Sequence, residues 1–239
     1  MLVTGQIALS AVLLVGAILL SESLYRLSHQ DLGFDPNRLI TLRVSADAAV
    51  TGGGAGLDRV SLTNTLQDRF RSLPGIQNVA AVNMLPFTGP NNYPTQRYGH
   101  PESIGGMEIR VVTPDYFATM GIPIQEGRVF TKADDSGATA VIVLSENVAR
   151  RWWPNGDPLG DLVVRGLFKG QPVPKGSTPD APRTVVGIVA NTKSVSLTER
   201  PRPTVYIPYA QTSEGISNFV IRGNLPRCLQ SSYGLPQLK

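Results

Sequence analysis

IALSAVLLVGAILL, residues 7–20, is the stretch on which the architecture turns. No charged residue occurs between Leu2 and Ser21. About 20 apolar residues, rising about 1.5 Å each, cross roughly 30 Å of hydrocarbon. A helix buried inside a soluble protein rarely runs this long without a charge. A cleaved secretory signal calls for a basic start and a small-x-small cleavage site. Here the opening MLVTGQ carries no charged side chain, and SESLYRLSHQ continues the helical pattern through Leu20, Leu24 and Leu27. The run therefore predicts an uncleaved transmembrane helix with an outward extension over residues 1–32, the extension wetting Glu22, Arg26 and Asp31. Gly33 is its expected C-cap. Gln6 and Gly16 are candidates for packing against other membrane helices: a small residue permits close approach, and an amide near one end favours a polar partner over lipid.

The rest of the chain is polar enough to be water-exposed and long enough to bury a core. Glycine and proline, 24 and 19 residues, are spread without a repeat, which excludes collagen and implies many turns and short elements. The formal charge of +4 is modest, and no nucleic-acid motif accompanies the scattered basic residues. In ARRWW the reading is the end of an amphipathic helix, one Trp buried and Arg150 and Arg151 wet. A single cysteine, Cys228, allows neither an intramolecular disulfide nor a Cys-based metal site.

Working outward, GFDPNRL turns and RLITLRVSA is a strand, with Ile40, Leu42 and Val44 on one face. TGGGAG (51–56) is a link; it has neither the Lys-Ser/Thr of a P-loop nor dinucleotide spacing. Asp58 is placed to cap a helix over about 59–73, whose Leu62, Leu66, Phe70 and Leu73 recur at helical spacing before Pro74-Gly75. IQNVAAVNMLP is the next strand. Residues 87–106, poor in helix formers, read as an exposed loop carrying Tyr93 and Tyr98, candidates for partner contact. MEIRVV is a strand, and Thr113 with Pro114 and Asp115 is placed to cap a short helix presenting Tyr116, Phe117 and Met120, ended by Gly121. Further strands are read at 138–145, in LVVRG and in RTVVGIVANTK with a glycine bulge, followed by short extended pieces in RPTVYIPYAQ and SNFVIRG; Ser145 is a candidate cap for ENVARRWW. KGQPVPKGSTPDAP (169–182) is a loop.

No positive sign of catalysis emerges. G-x-S-x-G and H-E-x-x-H are absent. Asp134 and Asp135 read as a solvated turn, Glu102, Glu108 and Glu126 form no constellation, His100 has no ligand-spaced carboxylate, and His29 lies far from it in sequence. No cofactor and no metal are expected.

Taken in order, QIALSAVLLVGAILLSESLYRL with GFDP, VTPDYFATMGIPIQEGRVFTKAD (112–134), VIVLSENVARRWWPNGDPLG (141–160) and TVVGIVANTKSVSLTERPRPTVYIPYAQ (184–211) resemble the MacB-like periplasmic core domain of ABC transporter permeases, in the MacB/FtsX superfamily, and are similar to duplicated acidobacterial permeases. The resemblance implies an α+β fold: a membrane helix and its extension (1–32), a membrane-proximal α+β lobe (33–87) resumed by return strands (204–222), and an inserted strand-rich lobe (88–203). It implies a non-catalytic permease component in the cell inner membrane, single-pass in this chain, with its C-terminal domain periplasmic. A cytoplasmic ABC ATPase acting with the full-length permease is the implied partner, with a periplasmic adaptor or a permease dimer and membrane lipid besides, and no nucleic acid. Tyr116, Phe117, Trp152, Pro158 and Gly160 belong to the motifs expected to specify the fold. The tail 223–239 departs from the family pattern, and the returning membrane helices are missing, so a truncated permease is expected. Two alternatives stand beside this: a membrane-tethered periplasmic hydrolase, and a secreted binding protein after signal cleavage.

Overall fold

Helix α1, Leu2–Ser28, opens the computed structural model, which describes residues 2–28, 30–44, 59–89, 91–165 and 181–224. The expected link at 51–56, Asp58, His29, the loop at 169–182 as far as residue 180, and the tail with Cys228 lie outside the described residues. The remaining elements are β1 (Leu39–Arg43), α2 (Arg59–Arg71), β2 (Ile76–Val82), β3 (Asn92–Arg97), β4 (His100–Val112), α3 (Tyr116–Met120), β5 (Ile124–Gly127), β6 (Val141–Ser145), α4 (Glu146–Trp152), β7 (Leu162–Arg165), β8 (Arg183–Val189), β9 (Thr204–Pro208), a 3-10 turn (Tyr209–Gln211) and β10 (Asn218–Gly223). The fold is mixed α+β: one apolar N-terminal helix followed by a strand-rich domain.

The strands run in the order β1–β10–β2–β4–β3–β7–β8–β6–β9, and β9 returns to pair in parallel with β4. Six strands, β4, β3, β7, β8, β6 and β9, thus close a ring. Closure removes edges that would otherwise expose unpaired backbone groups. Strands β1, β10 and β2 form an antiparallel wing joined to the ring at one residue pair, Val82 opposite Val112. Strand β5 pairs antiparallel with β8.

Alternation along the strands sorts the core. Met107, Ile109 and Val111 of β4 join Ile142, Leu144, Val185, Val205 and Ile207, with Trp152 and Trp153 closing the cluster. On the opposite faces Val112, Val143 and Tyr206 pack with Tyr116, Phe117 and Phe130 against Ala80, Val82 and Val220 of the wing. Beneath α2, Leu66 and Phe70 meet Val79, Phe219 and Ile221, and Ile40, Leu42 and Val44 line up on that same face as expected. Successive strand side chains point to opposite faces, so a strand between two layers can be buried throughout.

Several local expectations are corrected. Residues 92–97 and 100–106 are not loop but the two arms of a hairpin, because β3 is held by β4 on one side and β7 on the other. Gly106 lets the Asn92 side chain lie against the backbone: an added Cβ would stand 2.6 Å from it. Thr113 does not cap α3 with its side chain. Its hydroxyl accepts from the Ala81 amide (2.9 Å) and the buried Gln67 amide (3.1 Å). On α2 the most buried side chains are the polar Thr63 and Gln67, whereas Leu73, expected in the apolar stripe, is exposed. Both tryptophans of ARRWW are buried, since Trp153 seats on the turn at Asp161. Gly121 does end α3, with φ of 69°. The bulge in β8 falls where the β6 register shifts, opposite Ile142 and Val143.

Candidate functional site

Every described side chain between Val3 and Arg26 of α1 is exposed except at Gly16, which is half-buried. Over these 24 residues the helix is long and apolar enough to cross a membrane, the one such helix among the described residues. At helical rise it extends about 36 Å. Gln6 and Gly16 lie on it, and neither Gly5 nor Gly16 has a heavy atom within 4 Å of where a Cβ would stand. Glu22 and Arg26 pair across one turn, 2.6 Å apart, at the polar end.

The chain leaving α1 docks at once. Gly33, the expected C-cap, lies five residues beyond the helix end at Ser28, with φ of 74°. Its role is close approach: a Cβ there would stand 1.9 Å from the Asn191 carbonyl oxygen. The left-handed conformation and this contact both demand glycine. Leu32 accepts from the Lys193 amide (2.9 Å), and the Lys193 ammonium donates to Gln30 and to the Leu197 carbonyl. The Asp35 amide donates to Met120 at the end of α3 (2.9 Å).

Arg222, near the end of β10, gathers these pieces. Its guanidinium donates to the Asp35 carboxylate (2.7 Å) and carbonyl (2.8 Å), the Asn37 carbonyl (2.9 Å) and the Thr119 carbonyl (2.7 Å). The Asn37 amide and side chain, with Arg222, outweigh burial and hold the Asp35 carboxyl below its ordinary pKa. The passage into β1, the end of β10 and the end of α3 thus meet on one arginine.

Asn191 continues the contact inward. Its Oδ1 accepts from the Asn147 amide (2.9 Å) and its Nδ2 donates to Glu146 (3.0 Å). Asn191 therefore supplies the side-chain cap of α4 that was expected of Ser145. Ser145 Oγ is engaged instead with Asn147 Oδ1 (2.6 Å) and with the Thr204 backbone. At the other end of α4, Arg97 donates to the Trp152 carbonyl (3.0 Å) and to Asp161 (2.9 Å), while lying 4.6 Å over the Trp153 ring. Burial opposes ionisation of Asp161, but the Leu162 amide, Trp153 Nε1 and Arg97 prevail and lower its pKa.

Beyond Arg97 is the hairpin tip. Tyr98 is 55% exposed and Tyr93 41%, the latter 5.8 Å from the Arg165 guanidinium. His100, expected to lack a carboxylate, lies 2.9 Å from Glu102 on this exposed tip. Of the motif residues, Tyr116, Phe117, Trp152 and Pro158 are buried, and Gly160 is exposed with φ of 83° and its amide on Val185 (2.8 Å). Burial pushes the Tyr116 and Tyr206 phenols up, which keeps them neutral.

A groove of about 490 Å³ lined by Phe117, Ile122, Val129 and Phe130 adjoins a more polar one bounded by α2 and the 131–135 turn. Its carboxylates are engaged. Asp68 and Asp115 accept from Arg71, and Asp134 accepts from Arg128 through both oxygens at 2.8 Å. Asp134, expected in a solvated turn, is buried, and Arg128 lowers its pKa against burial. A depressed carboxyl is a poor general acid and a weak base at neutral pH. Glu108, which showed no constellation in the sequence, forms a buried ion pair with Arg110, 3.0 Å apart. Among the described residues no three His, Cys, Asp or Glu side chains gather as metal ligands. Arg222, Asn191 and Gly33 were missed as a group; a glycine five residues past an apolar helix was the only trace of them in the sequence.

A family model described as the MacB-like periplasmic core domain matches residues 2–225. No curated protein matches the chain. Among solved structures, the periplasmic region of MacB from Actinobacillus actinomycetemcomitans is similar at a TM-score of 0.53 and 16% identity, over 87% of this chain and 85% of that one. The extracellular domain of the noncanonic ABC-type transporter YknZ from Gram-positive bacteria aligns at a TM-score of 0.48 and 18% identity, over 83% of this chain and 96% of that one.

Proposed function

The chain belongs to the MacB-like periplasmic core domain family, and from that premise we propose that it is the non-catalytic periplasmic core and first membrane helix of an ABC transporter permease. In this reading it couples the work of a partner cytoplasmic ATPase to export or mechanotransmission. The observation that carries it is the exposed apolar helix α1 followed directly by an exit segment bonded to Lys193, Met120 and Arg222. A helix tethered only by a slack linker would transmit little displacement; one bonded at several points within a few residues of its end transmits it.

The reading places the domain in the periplasm and α1 in the inner membrane. It divides the domain into a membrane-proximal lobe (33–87 and 204–222) and an inserted lobe (88–203), with β9 of the first paired to β4 and β6 of the second. Gln6 and Gly16 face neighbouring membrane helices, and Tyr93 and Tyr98 face an adaptor or a second permease copy. The engaged, pKa-lowered carboxylates speak for a binding and mechanical role over a tethered hydrolase.

Fractionation tests it. The chain should remain with membranes through alkaline carbonate, keep its N-terminal residues, and be cut by protease added to spheroplasts. A soluble product beginning near residue 22 would establish the secreted alternative in its place.

A further inference from the structure

We propose that Asn191 is a joint that makes the order of α4 depend on the seating of the membrane-helix exit. This deepens the proposed function by naming how a displacement of α1 reaches the ring, but the coupling is a property of the chain alone. Two independent contacts converge on Asn191. Its carbonyl is the surface on which Gly33 seats, and its side chain caps α4 through the Asn147 amide and Glu146. Lys193, two residues on, fixes the same segment to Leu32 and Gln30.

The cap matters because α4 is only seven residues long, Glu146–Trp152. Helices of that length do not persist alone, and an N-cap is a large share of what holds the first turn. Ser145 cannot replace Asn191, since its hydroxyl is committed to Asn147 Oδ1 and the Thr204 backbone. When the exit segment shifts, the Asn191 peptide shifts with it, and its side chain leaves the Asn147 amide. From α4 the effect extends to the hairpin, because Arg97 binds both the Trp152 carbonyl and the Trp153 ring.

The test is native-state amide exchange on the full chain in lipid nanodiscs. Gly33→Ala alters only the exit side, forcing its Cβ into the Asn191 carbonyl. Exchange at the Asn147 amide should become roughly fivefold faster, the size of a lost cap, while Val220 in the wing keeps its rate. In an Asn191→Ala background the joint is already cut, so adding Gly33→Ala should leave Asn147 unchanged. Such non-additivity is the signature of two sites sharing one partner. The joint is refuted if Gly33→Ala leaves Asn147 untouched, or if it speeds Asn147 and Val220 alike and by the same factor on both backgrounds. Neither result bears on membrane insertion, which the fractionation reads separately.

Discussion

At the residue scale, buried charge is handled by pairing. Glu108 and Arg110 have side chains only 2% and 3% exposed, and Glu108 Oε1 and Arg110 Nη1 have no hydrogen-bond partner among the described residues. Removing one partner of such a pair strands the other. Glu108→Ala should cost about 3–5 kcal/mol in denaturant unfolding, while Glu108→Leu with Arg110→Met should cost much less. If the double change costs as much as the single one, shape rather than charge governs the site. Asp134 gives a pH prediction. Its folded pKa lies below the ordinary value of 3.8, so its stabilisation is complete above that value and is lost as pH falls through the folded pKa. Asp134→Asn should therefore lower stability at pH 7, by about 1 kcal/mol given that Arg128 is half-exposed, and make no difference once both forms are protonated in strong acid. Equal losses at both pH values would assign the effect to packing. Neither residue was legible in the sequence, since one reads as a strand charge and the other as a turn charge.

At the scale of elements, pattern reading succeeded where burial has a simple period and failed where a neighbour decides. Strand β1 turns Ile40 and Leu42, with Val44 just beyond it, to one face as read, because that face meets α2 and the wing core, while Leu39 on the other face is also half-buried, against the Phe117 cluster. Helix α2 deviates: Gln67 turns inward to donate to the Val79 carbonyl (3.2 Å) and to Thr113, so a polar side chain takes a core position. Thr113→Val would keep the volume and remove the acceptor of the Ala81 and Gln67 amides. We expect a loss of about 1–3 kcal/mol in thermal or urea unfolding; a change below a few tenths would show that Gln67 finds another partner. For α1 the relevant measure is insertion. Leu13→Arg places a charge near the centre of the apolar run at a cost of about 2.5–3.5 kcal/mol. It should move a substantial fraction of the chain out of the carbonate-resistant membrane pool, and unchanged partitioning would count against α1 as a spanning helix.

At the scale of the whole molecule, ring and wing share a core. Val82 and Val220 of the wing lie in one cluster with Phe117, Val143 and Tyr206, and the Phe117 ring meets Tyr206 edge-on at 5.0 Å. The two parts should therefore unfold together. Both tryptophans belong to the ring cluster, so their fluorescence should track the exchange of Val220 in the wing through one urea transition; two separated midpoints would refute a shared unit. Phe117→Ala should destabilise that one transition by about 3–5 kcal/mol, and both probes should report the same loss. The sequence by itself determined the apolar helix, most strands, the short helix closed by Gly121 and the family, because each rests on local periodicity, composition or an ordered series of motifs. The tertiary structure alone decided the ring closure of β4 on β9, the hairpin in place of a loop, the burial of Glu108 and Asp134, the seating of Gly33 on Asn191 and the pairing of Asp35 with Arg222. These join residues up to 187 positions apart, and no local pattern encodes which distant backbone will supply a strand edge, a cap or a countercharge.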